Sequence, residues 1–221
     1  FNILKPPVKG LPVLMYHKVL EGKNDGLTVS VAKFEDHLKY LQSKGYRTIS
    51  FRSLKEMLRS GDPLPHRTVM LTFDDAYVNF SDHALPLLIK YGFNATVFVP
   101  VAYMGKTNIW DQGPDPIMND ADLRRLSNQH EIEIGLHSFL HRNYGQMTVA
   151  EVEDDLLRCR ELLEHFSVPY VNVIAYPYGG YPKKDPVLRK ALFAMFEKTG
   201  IDFALRIGNR INPWPVVHPY E

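Results

Sequence analysis

Cysteine is nearly absent: Cys159 stands alone among 221 residues. That excludes an intramolecular disulfide and a cysteine-rich metal site within the chain. It lies in "EDDLLRCRELLEHF", where apolar residues recur at helical spacing, and reads as a small buried helix residue. An excess of either charge is also missing. The 26 basic and 25 acidic residues leave a net charge of +1, so composition offers no case for nucleic acid or an anionic membrane surface as a partner. No apolar run reaches the roughly 18–20 residues of a membrane span. No G-x-G-x-x-G follows the first strand-like run, which removes the usual dinucleotide cradle. The chain opens on Phe1 rather than Met, as a processed or trimmed chain does.

What is there is an ordinary globular balance, 45% hydrophobic and 23% charged, enough for a sizeable core. Short apolar runs predict strands at Leu11–Tyr16, Tyr46–Ile49, Thr68–Phe73, Ala95–Val99, Glu131–Leu136, Tyr170–Tyr176 and Asp202–Leu205. Amphipathic segments between them predict helices: "VAKFEDHLKYLQSKG", "SFRSLKEMLRSG", "SDHALPLLIKYG", "NDADLRRLSNQ", "TVAEVEDDLLRCRELLEHF" and "DPVLRKALFAMFEKTG". Ser30 and Gly45 bracket the first of these, and Thr148 with Glu151 forms a capping box. Alternation repeated about seven times predicts an α/β fold with a parallel sheet, closed into an incomplete barrel rather than doubly wound. One domain over residues 1–221 accommodates all of it.

In such a fold, chemistry gathers where strands end. The polar groups there are His17, Asp74 with Asp75, His137 with His141, and the turn Tyr176-Pro-Tyr-Gly-Gly180. His137 and His141, four apart, share one face if they sit on a helical turn and suit a first-row metal. Two adjacent acids ending an apolar run leave two readings: a cap for the helix near Ser81, or a site that gives each acid its own task. In the second, one acid joins the histidines on a metal and the other serves as general base. The "AYPYGGY" turn is either an ordinary Pro-Gly turn or a presenter of backbone N–H groups to an oxyanion.

Together and in this order, "TFDDAY", "HSFLH" and "YPYGGY" resemble the first three motifs of the polysaccharide deacetylases, the NodB-homology enzymes of carbohydrate esterase family 4. "LPVLMYHKV", "FEDHLKYLQSKGYRTIS" and "LLIKYGFNATVFVP" are similar to the poly-β-1,6-N-acetylglucosamine deacetylase branch. The resemblance runs from about Leu11 to Trp214. It implies a distorted (β/α) barrel of about seven strands. It makes Asp74 the catalytic base, and Asp75, His137 and His141 the ligands of a divalent metal, zinc or another first-row ion. It aims the Tyr178 backbone N–H at the oxyanion, with Tyr176, Pro177 and Tyr178 lining the sugar groove. Two positions depart from the family pattern. Ala76 stands where glycine is usual after the acids, and Ile174 and Ala175 occupy the neighbourhood of an arginine many members carry.

The activity so implied is removal of N-acetyl groups from an N-acetylglucosamine polysaccharide outside the cytoplasm. An O-deacetylase of a polymer such as xylan and a non-catalytic glycan-binding domain are the alternatives. A two-histidine, one-carboxylate iron oxygenase has no use for the second aspartate. His17 and His218 are the candidates for the group that protonates the leaving amine or binds substrate, and Trp110 is a candidate sugar platform.

Overall fold

The computed structural model describes residues 10–22, 25–111 and 113–221. In chain order it has strands β1 (Gly10–Leu11), β2 (Val13–Tyr16), β3 (Lys18–Leu20) and β4 (Thr28–Ser30), then helix α1 (Val31–Ser43). β5 (Arg47–Thr48), α2 (Phe51–Ser60) and β6 (Thr68–Phe73) follow, then α3 (Leu85–Tyr91), β7 (Ala95–Val99), α4 (Asp120–Ser127) and β8 (Ile132–Leu136). The chain continues through α5 (Val149–His165), β9 (Val173–Ala175), α6 (Pro186–Lys198), β10 (Phe203–Leu205) and β11 (Asn212–Pro213).

The central sheet runs β10-β9-β8-β7-β6-β2, with β5 pairing on β6 ahead of β2, and every pairing in it is parallel. Among the described residues β2 and β10, at the two ends of the order, do not pair with each other, so the sheet is an incomplete barrel as expected. The predicted first strand is split at Pro12, which has no N–H to give a ladder. Leu11 pairs antiparallel with Asn212, whereas Val13 onward pairs with β6. The parallel pairing of β3 with β4 is new relative to the sequence expectation.

β6, β7 and β8 are buried along their whole lengths, as parallel strands covered on both faces are. Their alternate residues sort into two cores. Val69, Leu71, Phe73, Val97, Val99, Ile134 and Leu136 face the helices, while Met70 and Phe98 join Leu11, Phe51, Val173 and Phe203 inside the barrel. Each such large side chain contributes about 1.5–3 kcal/mol. Gly135 is required inside, because a Cβ there would meet the Phe98 ring at 2.5 Å.

The helix boundaries follow the capping signals. Ser30 accepts from the Lys33 N–H, and Thr148 with Glu151 forms the full capping box. The predicted helix over Ser81–Gly92 begins instead as a π-helical turn at Phe80–Ala84, and Pro86 falls in the first turn of α3, where its missing N–H costs nothing. Cys159 is fully buried on α5. No helix among the described residues is long and apolar enough to cross a membrane.

Candidate active site

At the C-terminal end of β6 the backbone must turn sharply, and it does so through two left-handed residues, Asp75 (φ 71°) and Ala76 (φ 52°). The Asp74 N–H is tied to the Tyr16 carbonyl at 2.9 Å, which fixes Asp74 before the turn. Neither acid caps the following helix, whose start has no side-chain cap. Both are buried instead: Asp74 is 6% exposed and Asp75 2%. Ala76 adopts the conformation glycine would favour. A left-handed non-glycine residue costs roughly 1–2 kcal/mol, offset by the buried methyl and by the greater unfolded-state freedom glycine would bring.

The H-x-x-x-H segment departs from the helical expectation. His137 directly follows β8, and residues 137–143 form an irregular loop with Ser138 (φ 64°) and His141 (φ 53°) left-handed. A buried acid of α5, Asp155, imposes this path. Its carboxylate accepts from Ser138 Oγ and the Phe139 N–H, each at 2.9 Å, and from Tyr144 Oη at 2.7 Å. Ser138 Oγ in turn accepts from the Arg142 N–H at 3.1 Å. The signal for Asp155 was in the sequence: it falls within the buried stripe Val152, Leu156, Cys159, Leu163 of α5.

So bent, the loop brings Nε2 of His141 to 3.2 Å from Asp75 Oδ1 and to 3.2 Å from Nε2 of His137. His137 Nε2 lies 3.4 Å from the same oxygen. The His137 Nδ1–H donates to the Ala175 carbonyl at 2.8 Å, which turns its Nε2 inward. His141 Nδ1 meets Tyr178 Oη at 3.2 Å; with Nε2 turned to the cluster, Nδ1–H is the donor. Three electron-pair donors thus converge, and Asp75 Oδ1 is buried without a hydrogen-bond partner. That arrangement calls for a cation. Ligands of a tetrahedral zinc with bonds of about 2.0–2.1 Å stand about 3.3–3.4 Å apart, which matches this triangle. Asp75, His137 and His141 therefore fit a divalent metal.

The two adjacent acids are driven apart electrostatically. Burial raises Asp74 above the usual carboxylate range, with the Asp75 charge adding to it and His137 and His17 opposing it. Burial also works against ionised Asp75, but its contacts with His137 and His141 outweigh that and hold it well below the usual range. Burial pushes His141 down, while the neighbouring acids lift His137 despite its burial. A pair of acids split in this way is suited to two tasks.

A cavity of about 470 Å³ opens over the cluster, lined among others by His17, Asp74, Asp75, Trp110, His141 and Tyr178. Tyr178 tops a tight turn (φ 58°), closed by Gly179 N–H to Tyr176 O at 2.8 Å and Gly180 N–H to Pro177 O at 3.0 Å. Trp110 lays its indole on the His141 ring, centroids 4.1 Å apart and planes 23° from parallel. One of its faces is therefore spent on a side chain rather than open to a sugar.

Three expected site residues lie elsewhere. Tyr176 is 2% exposed, stacked on Tyr181, with its hydroxyl donating to the Tyr220 carbonyl. It is a core residue and does not line the cavity over the cluster. Pro177 is buried in the turn. His218 is exposed and lines a second cavity of about 380 Å³ inside the barrel, because the tail doubles back to pair β11 with β1. Asp74 borders both cavities, but His218 does not reach the three-ligand cluster.

A family model described as polysaccharide deacetylase matches residues 61–193. YxkH of Bacillus subtilis (strain 168), whose name places it among the polysaccharide deacetylases, is 30% identical over 190 residues, 86% of this chain and 62% of its own length. The poly-β-1,6-N-acetyl-D-glucosamine N-deacetylase of Staphylococcus aureus (strain N315) is 28% identical over 175 residues, 74% of this chain and 58% of that protein. This chain thus spans less than two thirds of either relative. The solved structure of IcaB from Ammonifex degensii superposes with a TM-score of 0.80 at 23% identity, covering 96% of this chain and 89% of that one, which is agreement of fold. With the family model spanning most of the chain and both acids and both histidines inside the matched span, the chain belongs to the polysaccharide deacetylase family, the NodB-homology carbohydrate esterases.

Proposed function

We propose that the chain is a metal-dependent N-deacetylase that hydrolyses the acetamide of N-acetylglucosamine units in a polysaccharide, releasing acetate. The observation that carries the reading is the triangle of Asp75 Oδ1, His137 Nε2 and His141 Nε2, with edges of 3.2–3.4 Å, beside a second buried acid. A divalent ion held there supplies Lewis acidity to the acetamide carbonyl and to the attacking water. The remaining work falls to the chain. Asp74, raised by burial, takes a proton from the water as its oxygen adds to the carbonyl carbon. The backbone N–H of Tyr178 donates to the oxygen that becomes anionic. His17, on the wall of the same cavity, gives a proton to the departing nitrogen as the C–N bond breaks, so that an amine and acetate leave. The named activity of the Staphylococcus aureus relative supports an N-acetylglucosamine polymer as the substrate class. The same reading sets residues 1–221 as one catalytic domain working outside the cytoplasm, where such polymers lie.

The test is acetate release by zinc-loaded protein from acetylated chito-oligosaccharides, β-1,6-linked N-acetylglucosamine oligomers and acetylxylan. The reading expects release from an N-acetylated oligomer, reduced about 10²–10⁴-fold in Asp74→Asn. Release from acetylxylan alone moves the activity to ester cleavage. No release from any of the three, or release that Asp74→Asn leaves unchanged, overturns it.

A further inference from the structure

The segment that carries Trp110 has no helix or strand among its described residues between Lys106 and the start of α4, yet it sets an indole on a histidine of the cluster. Its base is fastened by backbone. The Ile117 N–H reaches the Lys106 carbonyl at 2.8 Å, the Val78 N–H the Pro116 carbonyl at 2.9 Å, and the Met118 N–H the Ala76 carbonyl at 3.0 Å. Its tip is held by side chains. Lys18, in β3 directly after His17, is 2% exposed. Its ammonium meets Asp111, and Asp115 at 2.5 Å, and lies 4.8 Å from the centroid of the Tyr77 ring.

An ammonium taken so fully out of water is retained only with carboxylate partners, and both partners here come from the one loop tip. Asp111 follows Trp110 directly. The same anchorage continues toward the other side of the cluster. Buried Asn108 accepts from the Asp115 N–H at 2.8 Å and donates to Tyr77 Oη at 3.2 Å. Tyr77 lies two residues past Asp75, whose charge reaches its hydroxyl. Two of the three cluster residues, His141 through Trp110 and Asp75 through Tyr77, are therefore braced by groups that converge on Lys18. The mechanism proposed above makes no use of this lysine.

We propose that Lys18 is a positioning residue: by gripping Asp111 and Asp115 it holds the loop that presses Trp110 on His141, and so sets the geometry with which the cluster binds its metal. This rests on the reading of Asp75, His137 and His141 as a metal site. A second-layer group that orients a ligand ring typically changes metal affinity 10–100-fold when removed. The stacked indole also closes one side of His141 against solvent.

The chain has two tryptophans, so a Trp214→Phe background leaves Trp110 as the sole indole reporter. In that background, metal-free, Lys18→Met is expected to move the emission of Trp110 to longer wavelength as the freed loop exposes it. Zinc affinity, measured by chelator competition, is expected to fall about 10-fold or more. Trp110→Ala should weaken zinc as well, and adding Lys18→Met to Trp110→Ala should lower affinity by a smaller factor than Lys18→Met does alone, because part of the lysine's effect runs through the indole. Unchanged emission overturns the proposal, and so does a Lys18→Met loss that is equal with and without Trp110. Should Lys18→Met fail to fold, Asp115→Asn breaks the same grip from the more exposed partner and is read by the same criteria. Should the reference protein bind no zinc, the metal-site reading fails, and the emission of metal-free Lys18→Met decides the grip alone.

Discussion

Two buried acids, Glu133 on β8 and Asp75 just past β6, have opposite surroundings. Near the start of β8, Glu133 is 3% exposed and well supplied with donors. The Phe51 N–H reaches it at 2.7 Å, the Arg52 N–H at 3.1 Å and Thr96 Oγ1 at 3.4 Å. It sits at the N-terminus of α2, where the helix dipole favours a negative charge. Some 13 Å further along the strand, His137 leads into the cluster where Asp75 Oδ1 is equally buried and has no hydrogen-bond partner. Both acids are buried and fixed on or just past strands that flank β7. One is saturated by donors that the fold supplies; the other faces two imidazole nitrogens with lone pairs of their own. The first arrangement ties α2 to the sheet. The second is a debt that the chain alone does not discharge, and that is the physical mark of a ligand site.

The comparison breaks most readily at Glu133. Glu133→Ala strands two N–H groups of α2, each costing about 1–3 kcal/mol, and a loss of roughly 3 kcal/mol is expected in urea denaturation. Zinc content should be untouched. A stability change below 1 kcal/mol would remove the distinction between the two ends. Asp155→Asn comes next, because Asp155 is saturated like Glu133 yet supports the His137–His141 loop. It should lose about 2 kcal/mol together with weaker zinc binding by chelator competition, so it combines both behaviours. Loss of stability with zinc affinity intact would show that the loop keeps its shape without the acid.

Asp75→Asn in chelator-treated protein should cost less stability than Glu133→Ala. Its charge is held by two imidazole neighbours, and its removal strands no helix N–H group. A drop as large as that of Glu133→Ala would remove the contrast. The smallest effect concerns an acid outside both regions. Hydrogen bonds from Lys90, Tyr91 and Lys39 lower Glu35 to about 2 from its ordinary 4.5. Because the folded value lies below the unfolded one, its stabilisation is complete above pH 4.5 and is lost as pH falls toward 2. Glu35→Gln should make acid unfolding shallower in that window, mostly at low salt. An unaltered acid limb would count against the ion-pair cluster.

Much of this contrast was legible in the sequence, for reasons specific to each residue. "TVMLTF" and "ATVFV" announce strands buried on both faces because no polar residue larger than threonine interrupts them. The strand-end position of Asp74, Asp75 and His137 follows from that, and the motif resemblance supplied their partition into base and ligands. The shape of the His137–His141 segment was not legible. A four-residue spacing suits a helical turn, but Asp155, on another element, holds the loop in left-handed bends. Lys18 and Trp110 were opaque for a similar reason. A lysine inside "YHKVL" reads as a solvated strand residue until a loop about 95 residues later in the sequence brings two carboxylates to it. Tyr176 misled in the other direction, since an aromatic beside a site motif here belongs to the core.

The central claim is that the unsatisfied acid marks a metal site and the saturated one does not. Zinc content per folded chain, measured after equilibrium dialysis at limiting free zinc, tests it directly. The account predicts one ion per chain in the unmodified protein and in Glu133→Ala, and none in Asp75→Asn. Unmodified protein without zinc, or Asp75→Asn that retains a full equivalent, would contradict it.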